Sequence, residues 1–248
     1  MNFATTLTLA GISISLLAAC DRSKKDPTDL QTATNSTATQ ADLPLMPVTR
    51  GDTWIYDVRL EIPANATAAG APAVNQSHQR TRTYLGKISP AKGLPEVDCL
   101  EITVPGSPTE CEFVEIHDDR ILMRGSMIQG PEYPRPMWLD PPVPFVHAGM
   151  KVGTESPEIR ATGGGLLRKT QVVGREAITV PAGTFQTIRL LMTGTDGGLE
   201  LKRTIWFAPG TGIVREEKTR YRQGKLIFRE TQQLAKTSVN GRPPILPK

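Results

Sequence analysis

The spacing of the turn residues restricts this chain more than any other feature. From residue 167 to residue 234, short runs alternate apolar and polar side chains. They are interrupted at Gly174, Pro181-Ala182-Gly183, Gly194 to Gly198, Ala208 to Gly212 and Arg222-Gln223-Gly224. A period of two puts successive side chains on opposite faces of a strand. Gaps this short can join only antiparallel neighbours. The pattern predicts strands over 167–173, 177–180, 184–192, 199–207, 213–221 and 225–234. Together they make an antiparallel meander.

The upstream half carries weaker signals of the same kind. Strands are predicted over 53–61, over 80–88 with one wet face, over 97–104, 111–116 and 121–124. Residues 63–77 read as a loop, and His117-Asp118-Asp119-Arg120 as a hairpin turn. Proline at 131, 134, 136, 141, 142 and 144 argues against any helix or central strand there. That stretch therefore reads as an extended crossing. Twenty-two glycines and 21 prolines with few aromatics fit a strand-and-turn chain. The expected fold is mainly β: a meander forming a curved sheet or partly open barrel. The boundaries expected are a first β half over 44–128, the crossing over 129–147, a second β half over 148–236 and a loose tail over 237–248. Val48-x-x-Gly51-Asp52-Thr53 and Met150-Lys-Val-Gly153-Thr154-Glu155 echo each other. Two related halves and one continuous curved sheet both account for that echo.

The N-terminus has a different character. Residues 1–19 contain no Asp, Glu, Lys or Arg, and Ala4 to Leu17 is largely apolar. That run has the length of a signal-peptide core and is too short for a permanent span. Leu17-Ala18-Ala19-Cys20 then resembles the lipobox of bacterial lipoproteins. The resemblance implies cleavage before Cys20 and acylation of Cys20, which anchors the protein in a membrane of the bacterial envelope with its domain in the periplasm. Inner and outer membrane stay open. Residues 20–43 are polar and low in complexity, and they read as a disordered tether.

The remaining cysteines, Cys99 and Cys111, form an even pair in an oxidising compartment, which reads as one disulfide. A hairpin centred near Pro105 and Gly106 would set the two sulfurs opposite each other. A net charge of +4 without a concentrated basic stripe argues against nucleic acid as a partner.

Two further blocks stand out: Gly174-x-Glu176-x-x-Thr179-Val180-Pro181-Ala182-Gly183-Thr184-Phe185, and Trp206-Phe207-Ala208-Pro209-Gly210-x-Gly212-x-Val214. With the opening Pro47-x-x-x-Gly51-Asp52-x-Trp54-x-Tyr56, they resemble a pattern of uncharacterised bacterial envelope proteins. That resemblance implies a β-rich, often lipid-anchored periplasmic domain and no assigned activity.

No local signature supports catalysis. The three histidines have no metal-ligand spacing, Gly163-Gly164-Gly165 lacks the Lys-Ser/Thr of a phosphate loop, and no Gly-x-Ser-x-Gly is present. The expectation is a non-enzymatic binding or assembly domain without a cofactor or metal. Its partner is a protein, or a lipid-like ligand in the alternative reading of a carrier or sensor. A hydrolase with a dispersed site is the second alternative. Core packing accounts for Trp54 and Trp206. Trp138, with Tyr133 nearby in the crossing, is the candidate for an exposed ligand or partner contact.

Overall fold

The computed structural model describes residues 44–66, 72–130, 136–156, 158–160 and 167–238. The signal peptide, Cys20, the tether, Tyr133, the triple glycine and residues 239–248 lie outside the described residues. Among the described residues, twelve antiparallel strands form one sheet. They are β1 (Thr53–Ile62), β2 (Val74–Ile88), β3 (Val97–Thr103), β4 (Glu110–Ile116), β5 (Arg120–Ile128) and β6 (Met137–His147) in the first half. The second half has β7 (Ile159–Arg160), β8 (Leu167–Val180), β9 (Gly183–Asp196), β10 (Leu199–Ala208), β11 (Gly212–Arg222) and β12 (Lys225–Ser238). The sheet order is β6-β5-β4-β3-β2-β1-β12-β11-β10-β9-β8-β7. Each half is thus a meander, and β1 pairs with β12 to fuse them.

The sheet curls on itself. Seven strands separate β6 from β10 in the sheet order. Laid flat, the two would stand roughly 38 Å apart at ~4.8 Å per strand. Instead Phe145 of β6 and Phe207 of β10 meet edge to face, with ring centroids 6.2 Å apart. The inner face therefore encloses a core, including Trp54, Leu190, Ile205, Phe207 and Leu234. Burying such side chains is the main driving force for closure. Buried polar tips find partners: Trp54 Nε1 donates to Thr211 O at 2.7 Å and Tyr56 Oη to Ile213 O at 2.9 Å. One end of the interior is plugged by the segment before β1. There Leu45 N donates to Asp118 O, Gly210 N donates to the carbonyls of Pro44 and Leu45, and the Leu45 side chain is buried.

The echo between the halves is structural. Gly51 N donates to Tyr84 O at 2.9 Å, and Tyr84 N to Asp52 O at 2.9 Å. In the second half Gly153 N donates to Val172 O at 2.8 Å, and Val172 N to Thr154 O at 2.9 Å. Both glycines have positive φ, 95° and 90°, which glycine adopts without a Cβ penalty. The bulges recur in the same order. β2 slips against β3 at Tyr84/Gly86, and β8 against β9 at Val172/Gly174. β4 slips against β5 at Phe113/Val114, and β10 against β11 at Trp206/Phe207. The two halves repeat one supersecondary plan.

Several boundaries differ from expectation. Met137–His147 is a strand paired with β5, where an extended crossing was expected. Its prolines are tolerated because β6 is an edge strand, and there a missing N–H need not break a ladder. The connection between the halves is instead the segment after His147. Gly174 does not end a strand; it sits at a bulge inside β8. β2 begins at Val74, inside the expected loop, and pairs with β1 down to Ile62. β12 runs to Ser238, into the expected tail.

Gly125 shows how closely β5 and β6 approach. A Cβ there would lie 1.9 Å from the Met137 carbonyl oxygen, at a φ of 146°. Gly125→Ala is expected to destabilise the domain by about 2–4 kcal/mol, read as a lower midpoint in chemical denaturation.

Candidate functional site: a charged chamber inside the sheet

The inward face changes character along the strands. Near the plugged end it is apolar and filled, with free space of only about 30 Å³ beside Trp54, Tyr56 and Phe207. That is room for about one or two waters. Toward the other end it opens into a chamber of about 440 Å³. Its walls mix charged side chains with Met123, Met137, Leu139, Met192, Leu201 and Phe228.

Strand register builds the charged lining. Arg80 lies opposite Tyr56, whose side chain is buried in the core, and Arg82 opposite Trp54. Glu112 lies opposite Leu100, and Glu216 opposite Ile205. All four are therefore on the core face. Arg80 grips Glu230 with two hydrogen bonds of 2.9 Å each and donates to Gln232 Oε1 at 2.8 Å. Gln232 Nε2 donates to Glu216 Oε2 at 2.6 Å. Lys218 Nζ reaches Glu216 at 3.3 Å and Glu230 at 3.4 Å. These five residues close a ring, and Arg203 adds a pair to Glu216. Arg82 pairs with Glu112 at 3.3 Å and sits over the Tyr56 ring.

Burial alone would raise these carboxylates, but their cationic partners outweigh it. Arg203 and Lys218 hold Glu216 far below the ordinary range, and Arg82 lowers Glu112. The Arg80 hydrogen bonds and Lys218 bring Glu230 down to about 2. Glu110 behaves oppositely. Burial and the neighbouring Glu112 push it up, against weaker pulls from Lys218, Arg82 and Arg80. Among the described residues, no hydrogen bond or ion pair holds the Glu110 carboxylate. Arg220, also in the lining, lies over the Phe228 ring at 5.1 Å without a carboxylate partner among the described residues.

The residues singled out from sequence lie elsewhere. Cys99 and Cys111 are buried thiols, where a disulfide was expected. Cys111 stands opposite Glu101 and Cys99 opposite Phe113, so the cysteines are diagonal neighbours on one face of the hairpin, close enough for one thiol to hydrogen-bond the other. Cys111 sulfur accepts from Cys99 and from Gln129 Nε2, which brings its thiol down to about 7, while Cys99 is pushed up. Both belong to a small cluster on the opposite face of β3 and β4 from the main core. Trp138 was expected as an exposed contact. It packs half-buried on that cluster, 6.3 Å from the Phe113 ring and beneath Arg124. His117–Asp119 forms the β4–β5 turn, closed by His117 N donating to Arg120 O. Among the described residues, no group of three His, Cys, Asp or Glu is placed to hold a metal ion.

No protein-family model matches this sequence, and no curated protein does. In three dimensions the chain is similar to an inferred exported protein of Bacteroides fragilis with a YmcC-like fold. Identity is 14%, over 79% of this chain and 99% of that one, with a TM-score of 0.44. An inferred lipoprotein of Parabacteroides distasonis is similar at 12% identity, over 79% of this chain and 98% of that one, with a TM-score of 0.43.

The lowered carboxylates set an acid limit. Glu230 is lowered from 4.5 to about 2, so its contribution is present above pH 4.5 and lost as pH falls through about 2. That contribution is on the order of 3 kcal/mol, and Glu112 and Glu216 act in the same direction. Raised Glu110 runs the other way, but it is one group against three. Equilibrium unfolding from pH 7 to pH 2 is expected to show stability falling steeply below about pH 4.5. For the cysteines, a thiol reagent applied with denaturant should add two labels over 99 and 111, and none to the native domain.

Proposed function

We propose that this chain is a lipid-anchored protein of the bacterial envelope whose β-domain is a non-enzymatic binding domain, with the charged chamber as its binding site. The anchor rests on the lipobox resemblance at Cys20. The observation that carries the binding reading is the chamber itself. Its volume of about 440 Å³ falls within the roughly 300–1,000 Å³ of small-molecule sites. Its walls combine apolar and Met side chains with few uncommitted charges, as ligand pockets do.

The same geometry bears on the carrier of an apolar ligand. An acyl chain needs a long apolar cavity, and the apolar end of the interior is packed to about 30 Å³. A polar or amphiphilic ligand fits the chamber better than a lipid tail. The non-enzymatic reading draws support from the ring, whose carboxylates are each held by a cation and so are poorly placed to act as general bases.

The full-length protein, purified in mild detergent, tests this by mass spectrometry of what it releases on denaturation. A small polar compound, recovered unchanged after incubation with fresh protein, is the expected outcome. Conversion of that compound would overturn the non-enzymatic reading, and a released acyl lipid would restore the carrier. In the same cells Cys20→Ser is expected to leave the membrane fraction; retention there would overturn the anchor.

A further inference from the structure

The charges of the chamber can be followed pair by pair. Its lining cations are Arg80, Lys202, Arg203, Lys218 and Arg220 and its carboxylates Glu110, Glu112 and Glu230, with Arg82 and Glu216 beside them on the core face. Lys202 alternates with the inward Leu201 and Arg203 and lies over the Tyr221 ring. Arg80, Lys218 and Glu230 satisfy one another, as do Arg82 with Glu112 and Arg203 with Glu216. Among the described residues that face inward, two groups are left over, one of each sign. Glu110 is a half-buried carboxylate without a cationic partner among the described residues, and Arg220 is an exposed guanidinium held by the Phe228 ring and by no carboxylate among them.

From this remainder we infer that the chamber takes a small zwitterion, a molecule carrying a primary ammonium and an acidic group on a short apolar frame. The ammonium lies toward Glu110 and the acidic group toward Arg220. The inference rests on the chamber being a binding site and names the class of its ligand.

Each half of the ligand relieves a cost already present. Glu110 is desolvated and sits beside the like charge of Glu112, so an arriving ammonium stabilises its ionised form. Arg220 can trade its contact with Phe228 for a bidentate pair with a carboxylate or phosphate, which is stronger. A pure anion would leave Glu110 uncompensated, and a pure cation would leave Arg220 so. The frame between the charges would meet Met123, Leu201 and Phe228. Amino acids, short peptides and the phosphoethanolamine headgroup share this chemistry.

Calorimetric titration of the full-length protein separates the sources. The probes are leucyl-leucine, its N-acetyl form, its C-terminal amide, and vesicles with and without phosphatidylethanolamine. Leucyl-leucine or the phosphatidylethanolamine vesicles should bind, which identifies a free ligand or a headgroup. If leucyl-leucine binds, each blocked form should bind about tenfold more weakly, as expected for one lost charge-assisted contact. Glu110→Gln should abolish the penalty of acetylation, and Arg220→Gln that of amidation. Glu110→Gln should also raise the thermal midpoint, since it removes an unpaired desolvated charge, so a failure to bind cannot be laid to misfolding. Equal binding of blocked and free dipeptide would overturn the inference. So would no binding to any probe while another compound is released from the purified protein, and that result leaves the binding reading standing. An empty chamber in both experiments would sink both.

Discussion

The first and last described strands are neighbours, and this pairing makes the interior. β1 and β12 match over nine residue pairs, from Thr53 with Ser238 to Glu61 with Arg229. Without that seam the protein would be two six-stranded meanders, each with one apolar face in water. With it, Tyr56 lies beside Leu234 and Val58 beside Gln232 on a shared inner surface. The contact closes most of the described chain, so its entropic cost is met late in folding. Hairpins such as β9–β10 form locally, but the chamber exists only once the seam has formed.

The seam also sets the limits on the buried charges. The ring of Arg80, Glu230, Lys218, Glu216 and Gln232 draws on β2, β11 and β12, so it crosses β1 and spans both halves. Its members lose their hydration on folding, and paired geometry offsets that loss only when every lone pair finds a donor. Glu216, 1% exposed, accepts from Arg203, Lys218 and Gln232. Such a ring penalises any other register of β11 against β12, because a one-residue slip would turn Glu216 and Lys218 outward.

The meander was legible from sequence because turn chemistry is local. Gly183, Gly210 and Gly224 mark reversals that need no tertiary information. The chamber was illegible for a physical reason. Arg80 and Arg82 alternate with threonine along β2, and alternation alone cannot tell a wet outer face from a polar inner one. The strand was expected to have a wet face; its charged face is the one turned into the sheet, with Arg82 5% exposed. Glu112 and Glu216 mislead in the same way, since their partners sit on other strands, Arg82 on β2 for Glu112 and Arg203 on β10 with Gln232 on β12 for Glu216. The prolines of β6 failed as a signal because the rule against them concerns central strands, and an edge cannot be recognised before the topology is known. The cysteine hairpin was placed correctly, but its register was not. Sliding one strand by two residues turns facing sulfurs into diagonal ones, and the loop sequence does not fix that slide.

The duplicated plan makes the chamber's asymmetry meaningful. Aligning the matching bulges sets Phe113 against Trp206, and therefore Glu110 against Arg203, three residues earlier on equivalent strands. It likewise sets Arg82 against Thr170, two residues before Tyr84 and Val172. The halves share backbone geometry and have diverged in charge at the positions that face the interior. Arg203 found a partner in Glu216, whereas its counterpart Glu110 has none among the described residues. A shell whose two halves repeat the same bulges thus encloses a polarised space. Symmetric walls would suit a symmetric or nonpolar occupant. Walls that differ in sign at equivalent positions favour an occupant whose two ends differ in charge.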